Sequence, residues 1–274
     1  MITERDGVSM KFGACCDVDK LPLLQKYGYD YIELNFSNIA LAGEAEFEKV
    51  CEKIRHSGLP AESFNCFFPG SVSLNANVDY DWIKEYAEKG FARAKRLGGK
   101  IAVLGSGGSR RVPEGYDRAL AAEQFVRVLH ICGDIAAQHG MEIAIEPLRT
   151  AETNFINTVA EGIEMCKRAD HPNVKCLVDF FHLFMNHETL DAVENSGGLI
   201  IHTHIARPNE DRRIPTTQDR ETCAQWASAL KSIAYDGRMS LEGDFYPDFE
   251  TAIREARPVL ELFRADTYLC EVNL

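Results

Sequence analysis

Eight short apolar runs alternate with helix-like segments along the chain, and this alternation constrains the fold more than any other feature. Buried parallel strands read as continuous apolar runs, whereas amphipathic helices place apolar residues three and four positions apart. Phe125, Val128, Leu129 and Cys132 have the helical spacing. The apolar runs, each of which we predict to be a strand, occupy residues 11–15, 31–36, 61–67, 100–104, 142–146, 175–179, 199–204 and 239–242.

Eight strand–helix units predict an α/β fold of one closed (β/α)₈ barrel, the TIM barrel. The chain has 274 residues, close to the roughly 250 that such a barrel needs. An open doubly wound sheet is the competing architecture, but no G-x-G-x-x-G fingerprint follows an early strand. No linker, low-complexity tract or close repeat divides the sequence, so we expect residues 1–274 to form a single domain.

Charge and cysteine usage narrow the class of protein. The formal net charge of −12 argues against a general affinity for nucleic acid. Nine cysteines in irregular positions, with no C-x-x-C pair, are typical of reduced thiols in a cytoplasmic protein. Residues 1–10 lack the apolar core of a signal peptide, and no apolar run approaches the roughly 20 residues of a membrane span. We therefore expect a cytoplasmic protein that binds neither nucleic acid nor membrane.

The last four predicted strands each end on a side chain that can bind a metal ion. The fifth ends at Glu146, where Pro147 stops the ladder, and the others end at Asp179, His204 and Glu242. The carboxyl ends of barrel strands meet at one mouth, where three carboxylates would repel one another unless a cation joined them. Oxygen donors with one imidazole suit Mn²⁺, Mg²⁺ or Co²⁺ better than a structural zinc site.

Each of these residues also has an ordinary explanation when it is considered alone. A single carboxylate at a strand end is most often a helix cap or a surface charge. His202 shares a strand face with His204, and one of the two can be a buried core histidine with satisfied hydrogen bonds. Four metal-capable side chains on four consecutive strand ends favour a metal site over these alternatives.

Four short motifs resemble a known family. They are Glu146-Pro147-Leu148, Val178-Asp179-x-x-His182, His202-x-His204-x-Ala206 and Ser240-Leu241-Glu242-Gly243. In their order and spacing they resemble the xylose isomerase-like sugar phosphate isomerase/epimerase superfamily, and within it the D-tagatose 3-epimerase and D-psicose (allulose) 3-epimerase group. The resemblance covers most of the chain and is strongest over residues 140–244.

The resemblance implies a set of site residues and a cofactor. A divalent ion, Mn²⁺ first, with Mg²⁺, Co²⁺ or Zn²⁺ as alternatives, would be held by four ligands, of which two glutamates would also be catalytic. A homo-oligomer, dimer or tetramer, is also expected. The implied ligands are Glu146, Asp179, His204 and Glu242; the catalytic pair is Glu146 and Glu242; the substrate-binding residues are Glu152, His182 and Arg212.

The sequence departs from the pattern of the epimerase group in three places. Arg149-Thr150-Ala151 replaces the Asn-Arg-Tyr that often follows Glu-Pro-Leu, and Thr216 replaces a glycine. The segment from His204 to Arg212 is also longer than in the group. These differences leave the identity of the sugar open.

The resemblance implies a metal-dependent ketose epimerase or isomerase that acts on a free or phosphorylated sugar through an enediolate formed by two glutamates. Hydroxypyruvate isomerase and keto-inositol (inosose) dehydratase are alternatives on the same fold. An apurinic endonuclease-like phosphodiester hydrolase and a non-catalytic sugar-binding barrel are the more distant ones.

The loop at residues 105–111, Gly-Ser-Gly-Gly-Ser-Arg-Arg, follows the fourth predicted strand and carries a separate hypothesis. Its backbone N–H groups and two arginines could cradle a phosphate. The alternative is a rim loop that only shapes the pocket, and either would place it beside the substrate. Glu33, near the end of the second strand, has two equal interpretations: it reaches the mouth, or it forms a structural ion pair. Phe67, Phe68 and Trp82 either line the sugar site or belong to the core.

Overall fold

The computed structural model describes residues 10–264. Within this range the chain forms the eight strands that the apolar runs predict. They are β1 (Lys11–Ala14), β2 (Ile32–Asn35), β3 (Ala61–Asn65), β4 (Ile101–Leu104), β5 (Glu142–Ile145), β6 (Val174–Asp179), β7 (Ile200–Ile205) and β8 (Arg238–Leu241).

The strands form one parallel sheet in the order β1-β8-β7-β6-β5-β4-β3-β2, which curls until its two ends meet. Where β1 meets β2, the pairing reduces to a single parallel bridge between Cys15 and Glu33. The Tyr31 ring lies against Gly13 there, and a Cβ on Gly13 would overlap that ring. We call this line of contact the β1–β2 seam. The predicted (β/α)₈ barrel is confirmed, with closure that is thinner at this seam than elsewhere.

Helices surround the sheet and connect its strands. In the described residues the α-helices are α1 (Leu21–Lys26), α2 (Phe36–Leu41), α3 (Glu44–Ser57), α4 (Tyr80–Arg96), α5 (Arg118–Gln138), α6 (Val159–Ala169), α7 (Phe180–Met185), α8 (Asp191–Glu194), α9 (Arg220–Ser232) and α10 (Phe249–Leu260). Short 3₁₀ turns occupy Val18–Lys20, Thr217–Asp219 and Glu261–Phe263.

Local chemistry sets the ends of these helices. The Asp117 side chain accepts hydrogen bonds from the N–H groups of Ala119 and Leu120 and so starts α5. Thr158 and Glu161 form a reciprocal capping box at the start of α6. Gly140, with φ of +64°, turns the chain from α5 toward β5, a conformation that costs glycine little.

The predicted third strand is too long. It was expected to reach residue 67, but β3 ends at Asn65. Cys66 adopts a φ of +49°, which is rare for a residue with a side chain and takes the backbone out of the ladder. The other strand bounds differ from the prediction by at most one residue at each end.

Alternation along the strands places the donors inside the barrel. Ala144 and Leu177 belong to a small interior cluster, while their neighbours Ile145 and Val178 pack in the large core between sheet and helices. Side chains two positions apart share a face of a strand. Glu146 and Asp179 therefore lie one layer above the interior cluster, at the carboxyl end of the barrel.

The eight cysteines among residues 10–264 are all unpaired, as the reduced-thiol interpretation predicts. None of the helices in that range combines the length and the apolar character that crossing a bilayer requires. The expectation for residues 1–10 falls almost entirely on residues outside the described range.

Candidate metal centre and active site

The four predicted donors come together at the carboxyl ends of the last four strands. Asp179 is the last residue of β6 and His204 the last but one of β7, while Glu146 and Glu242 directly follow β5 and β8. Their ligand atoms all lie within 4.8 Å of one another. The structure therefore brings together every residue of the expected ligand set.

His204 lies at the centre of this group. Its Nδ1 is 3.0 Å from Glu146 Oε1 and 3.1 Å from Glu242 Oε2. Asp179 uses Oδ1 to accept from the N–H groups of Phe181 and His182 and so caps α7, which leaves Oδ2 facing the cluster. Capping thus fixes the orientation of a carboxylate whose other oxygen stays available to a ligand.

The two glutamates have opposite tendencies to hold a proton. Burial raises the pKa of Glu146, and the nearby Glu242 carboxylate raises it further. Burial acts on Glu242 in the same direction, but His204 and then Arg212 outweigh it and lower the pKa of Glu242. Paired carboxylates whose environments separate their pKa values are the usual arrangement of an acid and a base.

Glu33 lies directly behind His204 and is fully buried. Its Oε1 is 3.0 Å from His204 Nε2, and its Oε2 is 2.8 Å from His202 Nε2. These contacts favour the interpretation that Glu33 forms a structural ion pair over the interpretation that it reaches the mouth. It pairs with two histidines below the mouth, and one of them is a member of the donor set. His202 is a core histidine that contacts Glu33 alone among the site's carboxylates.

Arg212 joins two of the donors. Its Nη2 donates to Asp179 Oδ2 at 3.1 Å and to Glu242 Oε2 at 2.7 Å. The Arg212 backbone has a φ of +50°, and a Cβ on Gly243 would overlap the Arg212 carbonyl oxygen. The missing side chain at Gly243 is therefore what allows the Arg212 loop to approach the end of β8.

Glu152 and His182, the other two residues predicted to bind substrate, lie beside Arg212 in the structure. Arg149 Nε donates to Glu152 Oε1 at 2.8 Å, and Glu152 Oε2 is 4.0 Å from His182 Nε2. His182 is 1% exposed, and neither ring nitrogen has a hydrogen-bond partner within the described part of the chain. Buried polar atoms without partners are costly unless a ligand supplies them.

A cavity of about 400 Å³ opens above the donors. Its polar wall includes Glu146, Glu152, His182, Arg212 and Glu242, and its other wall includes Cys66, Phe68, Pro69, Gly70, Ser106, Gly107, Gly108 and Leu148. A second cavity of about 530 Å³ lies between α1 and α3 beside the Lys53–Asp19 ion pair, far from the strand ends. The smaller cavity is the candidate active site because, of the two, it is the one lined by members of the donor set, Glu146 and Glu242.

The loop at residues 105–111 lines this cavity with its backbone, but its arginines do not face it. Arg110 is fully buried and donates to the carbonyl oxygens of Leu104, Glu146 and Ile156. Arg111 donates to the carbonyl oxygen of Glu152. The rim-loop interpretation is therefore favoured over a phosphate cradle. Phe67 and Phe68 both belong to the core, Phe68 also lines the cavity, and the partly buried Trp82 packs against the core.

Several contacts in the site have no counterpart in the sequence reasoning. Asn65 Nδ2 donates to Glu242 Oε1 at 2.8 Å, and Arg149 supports Glu152. Cys66 lines the cavity in its left-handed conformation. Asn65 is the last residue of β3 and Cys66 follows it, so the strand-end pattern that predicts the four donors also points to these two positions. Nothing local to Arg149 or Arg110 indicates which carboxylate or carbonyl each would reach.

The donor set fits a divalent cation. It offers three carboxylates and one imidazole, which suits a hard or intermediate cation such as Mn²⁺ or Mg²⁺. Glu33 Oε1 accepts a hydrogen bond from His204 Nε2, the ring nitrogen that faces away from the donor cluster. Metal-binding histidines usually make such a bond. Without a cation, three carboxylates must share one imidazole and one guanidinium at close range.

Comparison with known proteins agrees with the geometry. A profile of the xylose isomerase-like TIM barrel family matches residues 21–263. A D-psicose 3-epimerase from Agrobacterium fabrum (strain C58) is 25% identical over 224 residues, which cover 79% of this chain and 75% of that protein. An inosose isomerase from Bacillus velezensis is 26% identical over 265 residues, covering 88% of this chain and 89% of that protein. A crystal structure of a D-psicose 3-epimerase in the presence of D-fructose superimposes with a TM-score of 0.79 at 20% identity, covering 92% of this chain and 97% of that one, and shows the shared fold.

Proposed function

The chain belongs to the xylose isomerase-like TIM barrel family, and on that premise we propose that it is a divalent-cation-dependent isomerase that epimerises a ketose. The relatives that cover most of the chain carry the names of epimerases and isomerases of sugars and keto-inositols. The proposed chemistry is the removal and return of a proton next to a carbonyl group through an enediolate.

One observation carries this proposal: two glutamates approach the same point from different strands. Glu146 follows β5 and Glu242 follows β8, and these strands are not neighbours in the sheet. Both carboxylates reach His204 Nδ1, Glu146 Oε1 at 3.0 Å and Glu242 Oε2 at 3.1 Å. Inverting a carbon centre needs one group to take a proton from one face and another to return it from the opposite face.

Each glutamate has a role that follows from its surroundings. Glu242, whose pKa is lowered, is the carboxylate that is ready to accept a proton, and Glu146, whose pKa is raised, is the one that more readily holds one. The roles exchange when the reaction runs in reverse. A bound divalent cation would supply a Lewis acid that stabilises the negative charge developing on the sugar oxygens.

Substrate hydroxyl groups would meet His182, Glu152 and Arg212. The unpartnered ring nitrogens of His182 can donate to one oxygen and accept from another. Glu152, held by Arg149, can accept from a hydroxyl, and the Arg212 guanidinium can donate to an oxygen that becomes negative. These contacts would orient the reacting carbon between Glu146 and Glu242.

Charge in the cavity favours a free sugar over its phosphate. Arg212 is the cationic side chain of the cavity lining, and it already pairs with Asp179 and Glu242. Three glutamates line the same cavity, and Arg110 and Arg111 bond to backbone carbonyls instead. A phosphate would add negative charge without gaining a free cationic partner, so we propose an unphosphorylated substrate.

Solvent hydrogen exchange tests the proposed pair. Glu146→Gln and Glu242→Gln should each stop exchange of the substrate C–H with deuterated water, and loss of one general acid or base commonly costs about 10²–10⁴-fold in rate. Normal exchange in either variant would remove that residue from the reaction. A panel of free ketoses and their phosphates tests the substrate, since equal turnover of both would contradict the charge argument.

Isomerisation of a keto-inositol is the second candidate, favoured by the inosose isomerase relative that aligns over 88% of this chain. Both reactions need enolisation beside a cation, so the donor set does not separate them. Product analysis with ketoses and inosose does. A phosphodiester hydrolase is disfavoured, because the chain carries a net charge of −12 and carboxylates dominate the cavity.

A further inference from the structure

Four hydrogen-bond donors hold the buried carboxylate of Glu33. Oε1 faces His204 Nε2 at 3.0 Å, while Oε2 faces His202 Nε2 at 2.8 Å. Ser63 Oγ and Ser240 Oγ also donate to Oε2, at 2.6 Å and 2.5 Å. A carboxylate with this many donors keeps a single position, because any rotation would leave buried groups without partners.

The two oxygens of Glu33 serve different neighbours. Oε2 has three partners in the barrel interior, whereas Oε1 bonds to His204. A hydrogen bond from His204 Nε2–H to a fixed carboxylate leaves Nδ1 as the nitrogen with a lone pair. Nδ1 is the nitrogen that lies beside Glu146 and Glu242. The hydrogen bond between Glu33 Oε1 and His204 Nε2 therefore determines which ring nitrogen presents a lone pair to the donor cluster.

We infer that Glu33 is a positioning residue for the proposed cation centre: its Oε1 keeps the His204 proton on Nε2 and so presents Nδ1 to the cation. This inference rests on the proposed function, which requires that centre. Histidines that bind metals commonly donate their other N–H to a carboxylate, which orients the ring and makes it a stronger ligand.

The contacts of Glu33 argue against a role as a metal ligand, although it lies with His202 and His204 in a group compact enough to hold an ion. Both of its oxygens already accept hydrogen bonds from side chains with 0% exposure. A cation there would displace those donors and leave buried hydroxyl and imidazole groups unpaired. A role for Glu33 as the hydrogen-bond acceptor that orients His204 keeps all four of these contacts.

The first experiment measures binding of Mn²⁺ alone to the full chain by electron paramagnetic resonance. Glu33→Met removes both the charge and the acceptor, and we expect it to weaken Mn²⁺ binding about 10- to 100-fold. Glu33→Gln keeps an acceptor oxygen for Nε2–H and should recover part of that loss. Ser63→Ala is the matched control, because it removes a donor from Oε2 and leaves the contact with His204 in place.

A purely structural role would not move the histidine tautomer, so the second experiment reads it directly. Histidine labelled with ¹⁵N and loaded with Zn²⁺, which is diamagnetic, should show His204 metal-bound at Nδ1 and protonated at Nε2. Glu33→Gln should keep this pattern, and Glu33→Met should lose it. If Glu33→Met does not fold, the weaker Mn²⁺ binding that is expected of Glu33→Gln relative to the wild type still tests the inference.

Two failures are distinguishable. Absence of Mn²⁺ binding by the wild-type protein would contradict the proposed function and, with it, this inference. Wild-type protein that binds Mn²⁺ no more tightly than Glu33→Gln and Glu33→Met, or that binds Zn²⁺ through Nε2 of His204, would overturn the role of Glu33 alone.

Discussion

The absence of a side chain at Gly105 makes room for the carboxylate of Glu146, one of the proposed catalytic pair. A Cβ on Gly105 would overlap Glu146 Oε2, and Gly105 is not in a left-handed conformation. Alanine at this position is therefore compatible with the backbone and incompatible with the present place of the Glu146 carboxylate. A substitution at Gly105 therefore tests the geometry of the site without removing or adding a polar group.

We predict that Gly105→Ala lowers kcat about 10²-fold with little loss of stability, because displacing a reacting group by about 1 Å costs that much. Steady-state kinetics and a thermal melt measure the two effects. Gly43→Ala is the control, since its Cβ would meet nothing within 4 Å and it lies outside the cavity. Unchanged turnover in Gly105→Ala would mean that Glu146 does not work from its present position.

A buried arginine holds the ends of two strands together. Arg110 donates to the carbonyl oxygens of Leu104 at the end of β4, Glu146 after β5, and Ile156 in the following loop. Burial lowers the pKa of Arg110 to about 10, so the guanidinium stays charged at neutral pH. The charge is stabilised by the three carbonyl oxygens and by the nearby Glu146 carboxylate.

We predict that Arg110→Met destabilises the fold by about 3 kcal/mol or more, because each buried acceptor left without a donor costs roughly 1–3 kcal/mol. Urea unfolding measures the change. Arg111→Met, at an exposed neighbour that donates to a single carbonyl, should cost less than about 1 kcal/mol. Equal losses of unfolding free energy in the two variants would contradict the proposed role of Arg110 in holding the strand ends together.

A half-buried carboxyl group from the segment between α7 and α8, that of Glu188, contacts the first residue of α6. Glu188 Oε2 accepts from the Val159 N–H at 2.8 Å, and burial raises the pKa of Glu188 to about 7 from an ordinary 4.5. The folded state therefore holds this proton more tightly than the unfolded state does. Its stabilising effect is complete below pH 4.5 and is lost as the pH rises through 7.

We predict that Glu188→Gln gains stability relative to the wild type as the pH rises from 5 to 8, because the amide has no proton to lose. Partial exposure screens the effect to about 1 kcal/mol, or roughly 2–4 °C in Tm. Thermal melts of both proteins across that range give the difference directly. A difference that stays flat with pH would show that Glu188 titrates normally.

For the molecule as a whole, the cation centre should couple binding to stability and to pH. A ligand that binds only the folded state stabilises it by about 2.7 kcal/mol at a hundred times its Kd. His204 is buried, which lowers its pKa, but Glu242 and Glu33 outweigh burial and raise it well above the usual value. A cation at Nδ1 must displace a proton from this ring.

We therefore predict that Mn²⁺ raises Tm by several degrees, that a chelator reverses the gain, and that binding weakens as the pH falls. Titration calorimetry in buffers of different ionisation enthalpy should show release of about one proton per ion. Asp19→Asn, in an exposed ion pair far from the centre, should leave the Mn²⁺ effect intact. A Tm that does not respond to Mn²⁺ would argue against the centre.

Much of this architecture could be predicted from the sequence, because it depends on local patterns. Apolar runs and helical spacing predict the barrel, and side chains at strand ends predict Glu146, Asp179, His204 and Glu242 as neighbours. The contacts of Glu33 and Arg110 could not be predicted, because their partners lie on strands and loops distant in sequence. Whether the protein is a dimer or a tetramer, and where in the cell it works, stay predictions.

The β1–β2 seam has a consequence for how the ring keeps its shape. Backbone pairing is sparse there, but Tyr31 bonds to Ser240 on β8, and Glu33 bonds to Ser240 and His204. Side-chain hydrogen bonds join the β1–β2 seam where backbone hydrogen bonds are few, and the same network includes the His204 imidazole at the centre of the site. Loosening of the β1–β2 seam would affect the proposed reaction through His204, while strands β5 to β8 stay joined by parallel backbone pairing with one register shift between β6 and β7.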